Sequence, residues 1–131
     1  MPNNIKISEK THVAVRLLSH LAQAKTLKAQ SLGEIAIDEC ISFYFLQQIS
    51  RLLKKHKIIS SQRGVNGGYR LTRAPNKISL KEICEAVEGP ISLINCAGGC
   101  RATNCQSKAL WSKINREIEK VFEQIKLSDI A

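Results

Sequence analysis

The sequence contains no apolar run that approaches the ~20 residues of a membrane-spanning helix. Its start, MPNNIKISEK, also lacks the apolar centre of a signal peptide. We therefore expect a cytoplasmic protein that does not associate with membranes. In a reducing compartment its cysteines would be free thiols or metal ligands rather than structural disulfides. A length of 131 residues suits one domain with one additional element.

Enzyme signatures are missing as well. The sequence has no recognisable nucleophile–base pair, no phosphate-binding P-loop and no cofactor fingerprint. It also has no internal repeat and no low-complexity segment. These absences argue against an enzyme and against a small-molecule substrate.

Acidic residues are absent from residues 40–81, which contain nine basic residues. The whole chain has a net charge of +9, and most of it lies in residues 1–75, with 12 Lys and Arg against 4 Asp and Glu. Such a block of one sign predicts contact with a polyanion, and double-stranded DNA is the partner that we expect. The alternative is a basic face that is merely solvated.

The first half of the chain has the pattern of a helix-turn-helix. A helix is predicted over about residues 10–24, and a second begins near Leu32, after the capping-box residues Ser31 and Glu34. Ser42 can cap a third helix with one apolar and one polar, positive face. Its predicted buried residues are Phe45, Leu46, Ile49, Leu52 and Leu53. Its predicted exposed residues are Tyr44, Gln47, Gln48, Arg51, Lys54 and Lys55. Two short helices before such an amphipathic helix are typical of DNA-binding proteins.

A basic β-hairpin is predicted directly after the third helix. Residues 58–62 and 69–72 have strand-like composition, and the glycines between them permit the positive backbone angles of a tight turn. A basic hairpin in this position is a wing. We therefore predict a mainly α fold with a small β-hairpin wing, in which residues 1–78 form a winged helix-turn-helix unit.

Residues 79–131 are predicted to form a connecting helix, a cysteine loop over about 91–106 and a long helix over about 107–126. Ser79 and Glu82 form the capping box of the connecting helix. The long helix has an apolar stripe of Leu110, Trp111, Ile114, Ile118, Val121, Phe122 and Ile125. This stripe needs a partner surface, so we expect a homodimer through the long helix. The alternative is a helix that folds back on its own domain.

The segment INCAGGCRATNC contains Cys96, Cys100 and Cys105. Thiolates are soft ligands that suit zinc or iron–sulfur clusters, and the glycines between them allow the backbone to surround a metal centre. The spacing alone does not choose between a disulfide-prone loop, a zinc site and an iron–sulfur site. Cys40 and Cys84 lie in helical stretches, where a free cysteine is usually a small core residue. By composition alone, His12 is a surface or capping residue.

Nearly the whole chain resembles the Rrf2 family of bacterial winged-helix transcriptional regulators, which includes IscR and NsrR. The resemblance rests on ISFYFLQQISRLLKKHKIISSQRGVNGGYRLTR, ISLKEICEAVEGPISLINC and CQSKALWSKINREIEKV. The closing ALWSKINREIEKVFEQIKLSDIA is most similar to the subgroup that regulates SUF cluster-assembly operons. The resemblance implies a homodimeric repressor that senses iron–sulfur cluster, iron or redox status and controls cluster-assembly genes. The alternatives are a nitric-oxide-sensing repressor of the same family and a zinc-bound or metal-free DNA-binding protein.

The resemblance also implies which residues would bind the iron–sulfur cluster. Cys96, Cys100 and Cys105 would hold an iron–sulfur cluster, with two irons and two sulfides favoured over four of each. Some family members take a fourth ligand from a histidine three residues past the third cysteine, where this sequence has Lys108. Others use an acidic residue in the first helix of the partner subunit, where this sequence has His12. We therefore expect His12 of the partner subunit as the fourth ligand. The cysteine spacing is shorter than the family's, which leaves the cluster type open.

The DNA contacts follow from the helix-turn-helix and the wing. We expect Ser42, Tyr44 and Gln47 to contact base edges in the major groove. Four neighbours would hold phosphates or lie at the groove edge: Gln48, Arg51, Lys54 and Lys55. The wing residues Arg63, Asn66 and Gly67 would approach the minor groove. Lys57 replaces the glycine that is common after this helix in the family, so we expect a less tightly capped helix end.

Overall fold

The computed structural model describes residues 7–24, 29–64, 67–92 and 105–130. The elements follow in the order α1 (Glu9–Gln23), α2 (Leu32–Glu39), α3 (Phe43–Lys55), β1 (Ile59–Gln62), β2 (Gly68–Leu71), a 3-10 turn (Pro75–Lys77), α4 (Leu80–Glu88), α5 (Gln106–Gln124) and α6 (Leu127–Ile130). The predicted mainly α fold with a hairpin is confirmed, and the short α6 is an addition to it. Within the described ranges, no helix is long and apolar enough to cross a membrane.

Four helices begin at a serine whose hydroxyl accepts a hydrogen bond from the first turn. The Ser31 hydroxyl accepts from the N–H of Gly33 (3.2 Å), and the Ser79 hydroxyl accepts from the N–H of Glu82 (3.1 Å). Ser8 and Ser42 do the same for α1 and α3, at longer distances. Such caps satisfy backbone donors that have no partner within the helix, which is why capping residues located these helix starts in the sequence.

The end of α3 is closed by two backbone hydrogen bonds. The N–H of Ile58 donates to the carbonyl of Leu53, and the N–H of Lys57 donates to that of Lys54, both at 3.0 Å. This is the Schellman pattern, with Lys57 at a φ of 61° in the position that favours glycine. The hydrogen bonds of the cap are therefore complete despite the lysine. The consequence of the lysine is backbone strain at one residue.

One apolar core joins α1, α2, α3, the hairpin, α4 and α6. Along α3, Leu46, Ile49 and Leu53 are fully buried, whereas Phe45 and Leu52 are half-buried at the edge of the core. The buried Ser50 is compatible with this environment because its hydroxyl donates to the carbonyl of Leu46 (2.7 Å). The opposite face of α3 is thereby held towards solvent.

The hairpin pairs β1 with β2 antiparallel, from Ile59 opposite Leu71 to Gln62 opposite Gly68. Gln30 extends the sheet, because its N–H donates to the carbonyl of Tyr69 (2.9 Å) and its carbonyl accepts from the N–H of Tyr69 (2.8 Å). Gly68 has a φ of 145°, and a side chain there would collide with the backbone of Gln30. Glycine is therefore required where the wing joins the segment that precedes α2.

The C-terminal end of α5 is attached to the winged unit. The N–H of Leu80 donates to the carbonyl of Ile125, and the N–H of Leu127 donates to that of Ile78, both at 2.8 Å. The Leu127 side chain is fully buried in the core. By contrast, no residue of α5 is buried within the chain. The long helix is therefore fixed at its end, while its apolar side chains remain at least partly exposed.

Candidate nucleic-acid interface and cysteine loop

The exposed face of α3 is a polar and positive stripe. Tyr44, Gln48, Arg51 and Lys55 are all exposed and follow one another at spacings of four, three and four residues. At 3.6 residues per turn this spacing places them on one side of the helix. The stripe lies opposite the buried face of α3, so it is available to a large partner.

The predicted base-contacting residues differ in exposure. Tyr44 is exposed, and Gln47 is half-buried beside the exposed Gln48. The Ser42 hydroxyl accepts the N–H of Phe45 (3.5 Å), so Ser42 caps the helix as well as facing solvent. An amide side chain that contacts a base needs freedom to extend from the helix. Gln48 meets that need better than Gln47.

Two of the three predicted wing residues are described. Arg63 is exposed just after β1, and Gly67 is half-buried just before β2. The N–H of Gly67 donates to the carbonyl of Gly64 (2.9 Å), and a side chain at Gly67 would collide with neighbouring backbone. Asn66 lies outside the described residues. Gly67 therefore contributes to the shape of the wing tip, whereas Arg63 contributes a positive charge beside it.

The cations of this surface are largely free of acidic partners. In the part of the chain that the structure describes, no ion pair involves Arg51, Lys54, Lys55 or Arg63. Arg73, at the end of the wing, instead pairs with Glu82 of α4 (2.7 Å). A surface with unpaired cations on α3 and at the wing is suited to phosphate groups.

A polar cluster ties α1 to the end of α2. The guanidinium of Arg16 donates to the carboxylate (3.1 Å) and to the backbone carbonyl of Glu39. Nδ1 of His20 lies 3.1 Å from the same carboxylate, and its Nε2 lies 3.9 Å from Asp38. The hydrogen bond with His20 and the hydrogen bond and charge of Arg16 hold the pKa of Glu39 below its usual range, although burial opposes them. Sequence reasoning missed this cluster, because its members are distant in the chain.

Cys40 was expected in the core, and this prediction is wrong. It is exposed in the turn between α2 and α3, with a left-handed φ of 53°. Backbone hydrogen bonds from Cys40 to Ile37 (3.3 Å) and from Ile41 to Ala36 (3.0 Å) close α2 there. A helix-spacing pattern does not reveal the left-handed residue that separates two helices, which is why the turn was missed.

Cys84 lies in the core of the chain, as expected. Burial raises the pKa of its thiol most strongly, the nearby Glu88 and Glu85 raise it further, and a hydrogen bond with Thr11 lowers it. A thiol in this environment stays neutral and inert. Cys84 therefore behaves as a small core residue.

The cysteine loop is only partly described. Cys96 and Cys100 lie outside the described residues, whereas Cys105 is a half-buried free thiol at the N-terminus of α5. Cys105 occupies the capping position, and its side chain makes no capping hydrogen bond. Among the described residues, no three potential metal ligands converge. The thiol of Cys105 is thus available to a ligand set that includes residues beyond those described.

His12 is exposed on α1. It borders a mostly apolar groove together with Cys84 of α4 and Phe122 of α5. Phe122 follows Cys105 by nearly five helical turns, which is about 25 Å along the axis of α5. Within one chain, the groove that His12 borders therefore lies at the opposite end of α5 from Cys105.

Asn115 links α5 to the start of the cysteine loop. Its side-chain amide donates to the carbonyl of Ile91 (2.9 Å) and to the carboxylate of Glu119 (3.0 Å). Its Oδ1 is buried without a hydrogen-bond partner among the described residues. This contact could not be predicted from the sequence, since an asparagine in a helix has many possible partners.

Comparisons with known proteins agree with the overall fold. The model of the Rrf2 family, described as an iron-dependent transcriptional regulator, matches residues 7–131. The transcriptional regulator IscR of Cereibacter sphaeroides is 31% identical over 134 residues, which cover 96% of this chain and 86% of that protein. The solved structure of CymR, the global cysteine regulator of B. subtilis, has a TM-score of 0.82 at 28% identity and covers 98% of this chain and 97% of that one. The structure of T. potens IscR has a TM-score of 0.80 at 31% identity, over 97% and 86% of the two chains.

Proposed function

The chain belongs to the Rrf2 family of DNA-binding transcriptional regulators, and we propose that it senses iron–sulfur cluster status and controls cluster-assembly genes. Its relatives are transcriptional regulators rather than enzymes, in agreement with the missing enzyme motifs. Residues 1–78 would serve as the DNA-binding unit and residues 79–131 as the sensor and dimerisation segment. The observation that carries the sensor proposal is the free Cys105 thiol at the start of α5, which follows a sequence segment with two further cysteines.

The proposed DNA-binding mode places α3 in the major groove. Tyr44 and Gln48 would contact base edges, with Ser42 and Gln47 at the margin of the contact. Arg51, Lys54 and Lys55 would hold phosphates, and the wing with Arg63, Asn66 and Gly67 would lie over the neighbouring minor groove. Two observations support this arrangement: the exposed stripe on α3, and the lack of ion pairs between its cations and any described residue.

The donor set fits an iron–sulfur cluster. Thiolates of Cys96, Cys100 and Cys105 are the ligand type that such clusters use, and a histidine can replace a cysteine on one iron of a two-iron cluster. Cys105 lies at the N-terminus of a 19-residue helix, where the helix dipole favours a negatively charged ligand. When bound, the cluster supplies a centre that responds to oxygen, nitric oxide or redox state.

His12 of the partner subunit is the proposed fourth ligand. Phe122, which lines the groove that His12 borders, lies about 25 Å from Cys105 along α5, and this disfavours ligation within one chain. An antiparallel pairing of two α5 helices reverses this relation, because it brings the start of one helix beside the end of the other. The groove at Phe122, which His12 borders, would then face the partner subunit's Cys105. This geometry supports a site shared between subunits.

The dimer itself is proposed from α5. Leu110 and Val121 are 53% and 52% exposed, and Ile114, Ile118 and Phe122 are only half-buried. Together they line a shallow apolar groove along the helix. A second copy of the same helix provides a matching surface, as in other symmetric helix pairs. The fixed end of α5 at Ile125 would transmit a change at the dimer interface to the winged unit.

Anaerobic purification tests the sensor proposal. We expect iron and sulfide in the purified protein, visible absorption that bleaches on oxidation, and different operator affinities for the cluster-loaded and cluster-free forms. A protein with zinc, or with no metal, that binds DNA equally well in both preparations would support the alternative DNA-binding protein instead. DNA binding of the cluster-free form is measured separately. A failed sensor proposal would therefore leave the family assignment intact.

His12→Ala tests the shared ligand. We expect the variant to fold and dimerise but to lose the cluster faster and to show altered absorption and electron paramagnetic resonance spectra. His56→Ala is the matched control, because His56 is exposed at the end of α3. Unchanged spectra and cluster lifetime in His12→Ala would exclude His12 as a ligand.

A further inference from the structure

Large apolar side chains are exposed on both sides of the turn between α2 and α3. Ile37 is 79% exposed, Tyr44 is 77% exposed and Phe43 is 43% exposed. The other exposed large apolar side chains of the described ranges lie outside the helix-turn-helix, at Ile7, Leu110, Val121 and Ile130. Single exposed apolar residues are common on proteins, but a group of them on a functional face indicates a contact surface.

The turn is short, so Ile37 and the two rings lie close to it on either side. The N–H of Cys40 donates to the carbonyl of Ile37 (3.3 Å), and the left-handed conformation of Cys40 reverses the chain directly afterwards. The rings of Phe43 and Tyr44 lie edge to face, with centroids 6.2 Å apart. Ile37 therefore flanks the same short turn as the first residues of α3.

The acidic neighbours of Ile37 contact α1. Glu39 binds Arg16 and His20, and Asp38 lies 3.9 Å from Nε2 of His20. Ile37 has no such contact with α1 and is left towards solvent in the last turns of α2. The end of α2 thus presents an exposed apolar side chain next to the exposed carboxylate of Asp38, and the polar, positive stripe of α3 follows after the turn.

DNA is the occupant that fits this surface. Tyr44 begins the stripe that continues through Gln48, Arg51 and Lys55, and residues 40–81 contain no acidic residue. The α3 side of the turn therefore favours a polyanion as the partner, and the apolar group that a base presents in the major groove is the 5-methyl of thymine. Three side chains expose too little area for a stable protein interface, which buries about 1,200–2,000 Å².

We infer that Ile37 is a specificity-determining residue, which packs beside the Tyr44 ring on the 5-methyl group of a thymine in each operator half-site. This inference rests on the DNA-binding part of the proposed function and is independent of the cluster. Burial of one methyl group at this contact favours thymine over uracil by about fourfold in Kd, since a buried methyl group contributes about 0.8 kcal/mol.

The test replaces thymines by deoxyuridine, which removes only the methyl group. The half-site is first obtained by selection from random-sequence duplexes with the full-length protein, in whichever cluster state binds more tightly. Each thymine is then replaced in turn, and Kd is measured for the wild type, Ile37→Ala and Ile37→Val. We expect the wild type to bind about fourfold more weakly at one thymine of the half-site. Ile37→Ala should bind both duplexes equally at that position, and Ile37→Val should retain most of the preference.

Ile130→Ala is the matched control, because Ile130 is an exposed isoleucine near the C-terminus; it should behave as the wild type does. Circular dichroism verifies that Ile37→Ala is folded, and alanine at an exposed helix position is expected to be stable. The inference is overturned if the wild type is insensitive to every thymine replacement or if Ile37→Ala keeps the fourfold preference. A uniform loss of affinity for all duplexes, including non-specific DNA, also overturns it. Absence of any DNA binding would instead contradict the family function, which separates the two failures.

Discussion

At the scale of single residues, Glu39 connects α1 to the turn that precedes α3. Because the folded-state pKa of its carboxyl is lowered from an ordinary value of 4.5, the ionised form stabilises the fold above that pH. This stabilisation is lost as the pH falls through the folded-state pKa. We expect Glu39→Gln to lower the free energy of unfolding at pH 7 by about 1 kcal/mol, with a smaller difference at low pH.

Urea unfolding at pH 7 and below pH 4 measures this difference. Glu123→Gln on the exposed surface of α5 is the control, and it should leave the free energy of unfolding nearly unchanged at both pH values. A difference between the wild type and Glu39→Gln that does not change with pH would show that the charge of Glu39 is not its source.

Lys57 offers a second residue-scale prediction. Its φ of 61° places a side chain in a conformation that glycine adopts without strain. Relief of the left-handed strain, less the larger backbone entropy that glycine loses on folding, should make Lys57→Gly raise the free energy of unfolding by about 0.5–1 kcal/mol. The matched control is Lys54→Gly inside α3, which should destabilise the protein by about 1 kcal/mol. Thermal unfolding measures both variants. Equal changes in the free energy of unfolding for Lys57→Gly and Lys54→Gly would contradict the strain assigned to Lys57.

At the scale of elements, α5 provides the clearest test of assembly. Leu110→Glu and Val121→Glu place charges on the apolar stripe, and neither residue is buried within its own chain. We expect these variants to fold as monomers, because the charge opposes burial at the pair of helices. Light scattering after size exclusion measures the mass. Ser112→Glu, on the exposed opposite side of α5, should remain dimeric, and a dimeric Val121→Glu would contradict the proposed interface.

The sequence predicted most elements because their signals are local. Ser31, Ser42 and Ser79 located three helix starts, and the glycines located the wing. The helix α6 was missed because Leu127–Ile130 is too short to show a period. Contacts such as Arg16–Glu39 and Asn115–Ile91 were also missed, since each joins residues far apart in the chain. The cationic face was predictable, but the greater exposure of Gln48 than of Gln47 required the actual rotation of α3.

At the scale of the whole molecule, the unbalanced charge predicts a steep salt dependence of DNA binding. A dimer with 6–10 phosphate contacts should lose affinity by about 10³–10⁵ between 50 and 200 mM salt. Lys55→Ala should reduce the slope of log affinity against log salt by about one per subunit. Lys120→Ala, on α5, is the control and should leave the slope unchanged. A nearly flat salt dependence of the wild type would contradict the assigned surface.

The exposed apolar side chains of α5 also make assembly of the thiol site depend on the concentration of the protein. Every apolar side chain of α5 lacks full burial within one chain, and the backbone hydrogen bonds that join the end of the helix to the winged unit lie near Ile125. In a dilute solution of single chains, its opposite end, which bears Cys105, would fray first. Assembly of the thiol site would then depend on the number of copies in the cell as well as on the supply of iron, so the protein would respond to its own abundance.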